Sequence, residues 1–267
     1  MSSIYQQFLV KPLFNVLVYF TQLTGSFGIG VILLTLLSRF VLLPIFINST
    51  NSAKKMQEIK PELEKLKNKY KYDKKLLGEK QMALYKDNGI NPASGCLVQI
   101  PMFAILFALF SVIRQFANAT TIETINDLIY STNLKFVSLE DINTHFLGWN
   151  LFVTDSTYIL PILSGLLQFV ASKMMQPYII GAEQSAKKTP QKSDDFAYNM
   201  QEQMLYILPL MTVVIGTKLP AGFVLYMLVG TLFQIFQTYF VSGLGGLTPY
   251  IERLKKYELI RRITRNS

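Results

Sequence analysis

Residues 27–47 read FGIGVILLTLLSRFVLLPIFI, and this run decides the class of the fold. At 1.5 Å per residue it reaches about 30 Å, the thickness of the hydrocarbon core of a bilayer. Its only charge is Arg39. Working outward, Cys96–Ile113 and Thr157–Met175 are two further apolar runs of spanning or nearly spanning length. Met204–Val241 holds 38 residues with Lys218 and Pro220 near its middle, too long for one span and suited to two joined by a tight turn. Its first arm, Met204–Thr217, is short enough to leave a re-entrant segment open. Half of the 267 residues are apolar and only 16% are charged, which excludes an ordinary soluble domain.

The net charge of +9 is unevenly placed. Residues 48–95 hold eleven Lys against six acidic residues, and 242–267 hold six basic against two acidic. Residues 115–156 hold Lys135 alone against Glu123, Asp127, Glu140, Asp141 and Asp155. Basic loops stay in the cytoplasm, so the N-terminus is expected outside and the C-terminus inside, as five spans require. The fold class expected is all-α: a polytopic membrane protein with five transmembrane helices, an N-terminal interfacial helix and a cytoplasmic helical hairpin. Its parts are an external amphipathic helix in 1–26, spans at 27–47, 96–114, 157–176, 204–218 and 219–241, the hairpin in 48–95, an external loop at 115–156, a cytoplasmic loop at 177–203 and a basic tail at 242–267.

Local patterns fill in this plan. In residues 4–24, Gln7, Lys11, Asn15 and Gln22 gather on one sector, opposite Leu9, Leu13, Val16, Leu17 and Phe20, with Phe14 and Val18 breaking the pattern. Gly25, Gly28 and Gly30 mark the joint that follows. Met56, Ile59, Leu63, Leu66 and Tyr70 step by three and four, giving one apolar stripe on a wet helix. A break near Tyr72–Asp73 precedes a second helix to about Lys86, ended by Gly89 and Pro92.

Arg39 carries the chemistry. It lies about 18 Å down the helix from Phe27, where facing lipid costs roughly 2.5–3.5 kcal/mol. It therefore either faces the bundle interior or snorkels to the cytoplasmic headgroups, and both stay open on this ground. Gln99, Gln168, Gln234 and Gln237 are further polar residues within spans, with Thr35 and Ser38 beside the arginine. No carboxylate lies in the core of any span. A lone His145, a lone Cys96 and the lack of HExxH, GxSxG or a phosphate loop argue against an enzyme, a metal centre and a cofactor. With no secretory n-region before Lys11, no signal peptide is expected.

Several stretches resemble the YidC/Oxa/Alb insertase family, in the family's order across about residues 12–240. They are Thr35-Leu-Leu-Ser-Arg39 with Pro44, Lys55-Met-Gln-Glu-Ile-Lys-Pro-Glu62, Tyr85-Lys86, Gly89-Ile-Asn-Pro92, Gly95-Cys-Leu97, Gln99 and Pro101. Tyr158-Ile-Leu-Pro161, Gln168, Lys173-Met-Met175, Pro220-Ala-Gly222, Tyr226 and Gln237 continue the series. Two departures stand out: about three residues fewer before Gln99, and Met227 where the family often has Trp.

The resemblance implies an insertase of a bacterial plasma membrane, with nascent membrane proteins as substrates and the ribosome and Sec translocon as candidate partners. It implies a hydrophilic groove, open to cytoplasm and lipid, around Arg39, Thr35, Gln99, Gln168, Tyr226, Gln234 and Gln237. The hairpin, with Met56, Ile59, Pro61 and Leu63, would receive substrate. Arg253, Lys255, Lys256, Arg261, Arg262 and Arg265 would meet anionic lipid or ribosomal RNA. The nearest rival is an assembly chaperone without insertion activity of its own. A transporter would bring inverted repeats or a midplane carboxylate, which the sequence lacks.

Overall fold

The computed structural model describes residues 3–70, 72–90, 94–175, 196–251 and 253, and they are mostly helical. The chain enters as a helical segment from Ser3 with a π-turn over Gln6–Val10, then α1 (Lys11–Thr24). The wide turn precedes Pro12, which brings no N–H to the helix ladder. Then follow α2 (Phe27–Glu58), α3 (Lys60–Lys69), α4 (Lys74–Asp87) and α5 (Ser94–Ala117). A two-residue hairpin pairs β1 (His145–Phe146) with β2 (Trp149–Asn150), and α6 (Ile159–Met175), α7 (Phe196–Gly216) and α8 (Ala221–Ser242) complete the order.

Among the described residues, three stretches are long and apolar enough to cross a membrane: Phe27–Ser49, Ile100–Ala117 and Ala221–Val241. Ile159–Met175 and Leu205–Gly216 are apolar but shorter. The chain divides into two compact units. One comprises residues 1–43, 99–169 and 206–234, and the other 44–98, 170–205 and 235–267.

Two boundaries differ from the sequence reading. Helix α2 runs on to Glu58 because Asn48–Glu58 contains no breaker, so the apolar stripe from Met56 to Tyr70 does not lie on one helix. It is interrupted at Ile59, since Pro61 cannot donate into a continuing ladder but fits the first turn of α3. Likewise 196–203, expected as loop, form the first two turns of α7. The hairpin proper is therefore α3 and α4. Asp73 caps α4 by accepting from Leu76 N at 3.0 Å, and Gly89 at φ +62° ends it while Ile90 N reaches back to Tyr85 O at 2.8 Å. Ile59, Leu63 and Ile90 are buried together against Leu84 and Tyr85.

In the other unit, segment 116–156 is folded rather than loose. Ile125, Ile129, Phe136, Ile142 and Leu151 join the main core. The polar stripe of α1 turns toward this segment instead of water. Asn15 is buried, donating to Leu128 O at 2.9 Å and accepting from Tyr130 N at 2.7 Å, and Gln22 donates to Leu134 O at 2.6 Å. Phe14 and Val18, the residues that break the amphipathic pattern, lie on the buried face with Leu17, while Ile4, Phe8, Tyr19 and Leu23 are exposed. Helix α1 thus buries a face set by packing against 116–156, which no periodicity within α1 could report.

Four phenylalanines close this end. Phe14 stacks on Phe116 at 4.8 Å, Phe27 meets Phe116 and Phe152 edge-on at 5.1 and 4.9 Å, and Phe116 stacks on Phe152 at 5.9 Å. The start of α8 is stitched to the same segment: Ala221 N donates to Val153 O at 2.7 Å and Gly222 N to Leu151 O at 2.9 Å. Asp155, only 3% exposed, accepts from Thr157 N, Leu160 N and Trp149 Nε1 at 2.8, 2.9 and 3.1 Å, and also from the Thr157 hydroxyl. These bonds fix the turn into α6, where Tyr158 is held at φ +58°.

Candidate functional site

Helix α2 carries Thr35, Ser38 and Arg39, and α8 carries Tyr226, Gly230, Thr231 and Gln234. Tyr226 and Gly230 are four residues apart and share a helix face. The Arg39 guanidinium lies on that face. A Cβ placed on Gly230 would stand 2.6 Å from Nη2, 3.3 Å from Nε and 3.4 Å from Cζ, so the planar group rests against bare backbone. Its Nη1 donates to Met102 Sδ of α5 at 3.6 Å, a weak acceptor. Tyr226, 6% exposed, lies alongside both Arg39 and Ser38.

Charge at this level is uncompensated. No Asp or Glu occurs in 27–49, 100–117, 159–175, 205–216 or 221–241. Among the described residues Arg39 has no acidic partner, although it is half-buried. A guanidinium has five N–H donors, and one weak sulfur contact leaves most of them for something else. Further along α8, the Thr231 hydroxyl lies 2.9 Å from Met227 O and 3.3 Å from Gln168 Oε1 of α6, which share its one proton. Phe40 meets Phe233 edge-on at 5.3 Å beside the arginine.

The structure brings Arg39, Tyr226 and Gln168 to this region with Gln234, which is half-buried. Thr35 is fully buried, and its hydroxyl donates to Val31 O in its own helix at 2.6 Å. Gln237 belongs to the other unit, where it is buried with its Nε2 unpartnered. Gln99 lies in α5, but its side chain is outside the described residues, as is that of Met56. In the hairpin Pro61 is exposed, while Ile59 and Leu63 sit in its own small core. Arg253 is exposed; Lys255, Lys256, Arg261, Arg262 and Arg265 lie outside the described residues. No group of three His, Cys, Asp or Glu side chains stands together among the described residues.

Sequence reasoning missed Gly230, Thr231 and Met102. One signal was available for Gly230: an isolated glycine inside an apolar helix, one turn beyond Tyr226, marks a close approach.

Compared with known proteins, residues 19–244 match the 60Kd inner membrane protein family. The chain is 33% identical over 265 residues to the membrane protein insertase YidC of Clostridium perfringens, covering 94% of this chain and 97% of that protein. It is 32% identical over 222 residues to the membrane protein insertase YidC of Fusobacterium nucleatum, covering 83% and 89% of the two chains. Membrane protein insertase MisCA of Bacillus subtilis is 32% identical over 245 residues, covering 90% and 79%.

Proposed function

The chain belongs to the 60Kd inner membrane protein family, the YidC insertases among them, and on that premise we propose that it inserts nascent membrane proteins into a bacterial membrane. The observation that carries the reading is Arg39, a half-buried guanidinium without an acidic partner among the described residues. Moving an aspartate to the bilayer centre costs about 2.5–3.5 kcal/mol on insertion scales. A cation 4 Å away returns about 4 kcal/mol at an effective dielectric near 20. One such arginine is therefore of the right size to offset one acidic residue in a crossing flank.

In this reading Arg39, Tyr226, Gln168 and Gln234 line a groove that draws a short polar or acidic flank part-way across, and the adjoining apolar segment then passes into lipid. Thr35 plays no part, because its hydroxyl is spent within α2. Five spans, with the N-terminus outside and the C-terminus inside, put the α3–α4 hairpin in the cytoplasm to receive substrate. The basic tail then meets anionic lipid or the ribosome.

The test is insertion of a single-span substrate with an acidic flank into liposomes holding the purified protein, read by protease protection. Wild type and Arg39→Lys should protect the flank, and Arg39→Ala should lose at least about tenfold, or about 1.4 kcal/mol. Equal protection by all three would remove Arg39 from the mechanism. Protection by none would leave a chaperone.

A further inference from the structure

Gly230 stands in the middle of α8, where glycine weakens a helix relative to alanine by up to about 1 kcal/mol. It bounds no turn. It is buried, and what its missing side chain makes room for is the guanidinium of Arg39, at 2.6 Å from where a Cβ would stand. Gly165 and Gly222 also admit neighbours at close approach, but those neighbours include backbone carbonyls, Pro209 O at 3.1 Å and Leu151 O at 3.0 Å. At Gly230 the atoms met are the far end of one long, flexible side chain. A methyl group there would move the charge while leaving the helix packing in place.

We propose that Gly230 is a positioning residue for Arg39: its bare backbone is the surface on which the guanidinium lies, and it fixes where along α8 the positive charge is presented to a substrate. Met102 Sδ at 3.6 Å steadies the other edge of the same group. With a Cβ at 230 the fork swings off this face, and its N–H donors no longer converge where an acidic flank arrives. The proposal rests on the reading of Arg39 as the charge that drives transfer. Lysine, thinner and without a planar fork, does not need the glycine.

Two measurements test it. Peptide-resolved labelling of Arg39 by phenylglyoxal in proteoliposomes needs no insertion assay. Gly230→Ala should change the labelling rate of Arg39 severalfold while leaving that of Arg114 unaltered. Insertion of the acidic-flank substrate should fall at least fivefold in Gly230→Ala, with the thermal unfolding midpoint unchanged or raised. Gly230→Ala in an Arg39→Lys background should insert within about twofold of Arg39→Lys alone. An unchanged Arg39 labelling rate overturns the proposal even if no variant inserts anything, which separates its failure from that of the insertase reading. So does an equal fall in the Arg and Lys backgrounds, since glycine would then act through helix packing.

Discussion

Two levels of one unit, about 18 Å apart along α2, are built on opposite principles. Around Phe27 and Phe116 the helices are sealed by four interlocked rings, and the start of α8 is hydrogen-bonded backbone to backbone with Leu151 and Val153. Around Arg39, α2 and α8 meet through a glycine, a tyrosine and a charge whose hydrogen bond goes to the sulfur of Met102. Order is concentrated at one level and unspent polarity at the other. In lipid, where apolar burial between helices contributes little, packing and hydrogen bonds supply stability. In the proposed reading the Phe116 level thus holds the bundle while the Arg39 level meets substrate.

The largest expected effect tests this division directly. Phe116 touches three of the other rings, and Phe116→Ala should lower unfolding free energy by about 3–5 kcal/mol in a denaturant titration of the solubilised protein. Insertion per folded molecule should stay near wild type. A variant that unfolds no more easily yet inserts poorly would mean that the two levels are not separate. Next in size is Gly222→Ala. Its Cβ would meet Leu151 O at 3.0 Å and Leu151 Cβ at 3.3 Å, neighbours that cannot swing away. A loss of about 1–3 kcal/mol is expected, set against no loss for Gly230→Ala, and similar costs for both would erase the distinction.

The two levels were not equally legible in the sequence. Spans announced themselves through apolar runs such as 27–47, and Arg39 stood out because a lone charge in such a run has few places to go. The folded 116–156 segment did not, since its order comes from contacts between Asn15 and Tyr130 or Gln22 and Leu134, over a hundred residues apart. The break at Ile59 was hidden because Met56–Tyr70 keeps helical spacing straight through it, and only Pro61 tells where the ladder fails. Gly230 was visible as a letter, but what it meets is a property of the fold.

Asp155 offers a middle-sized test at the ordered level. Burial opposes its ionisation, but bonds from Thr157, Leu160 and Trp149 outweigh this and hold its carboxyl below the usual range. A lowered folded value means that its stabilisation is fully present above the ordinary carboxylate pKa near 4 and is lost as pH falls through the lowered value. Asp155→Asn should cost about 1.5 kcal/mol at neutral pH, with the gap to wild type closing only in acid. A gap that closes already near pH 6 would mean the carboxyl is held high instead.

The smallest effect concerns Thr35, one turn from Arg39 yet unlike it. Its hydroxyl donates to Val31 O, which also accepts the helical N–H of residue 35, so removing the hydroxyl strands no partner. Thr35→Val keeps the branched shape and should shift stability by no more than about 0.5 kcal/mol, with insertion within about twofold of wild type. Such a null beside a tenfold loss for Arg39→Ala would draw the edge of the functional level between two neighbouring turns of α2. A severalfold fall in insertion at unchanged stability would instead return the Thr35 hydroxyl to the groups that meet substrate, and widen the underbonded level by one turn toward Phe116.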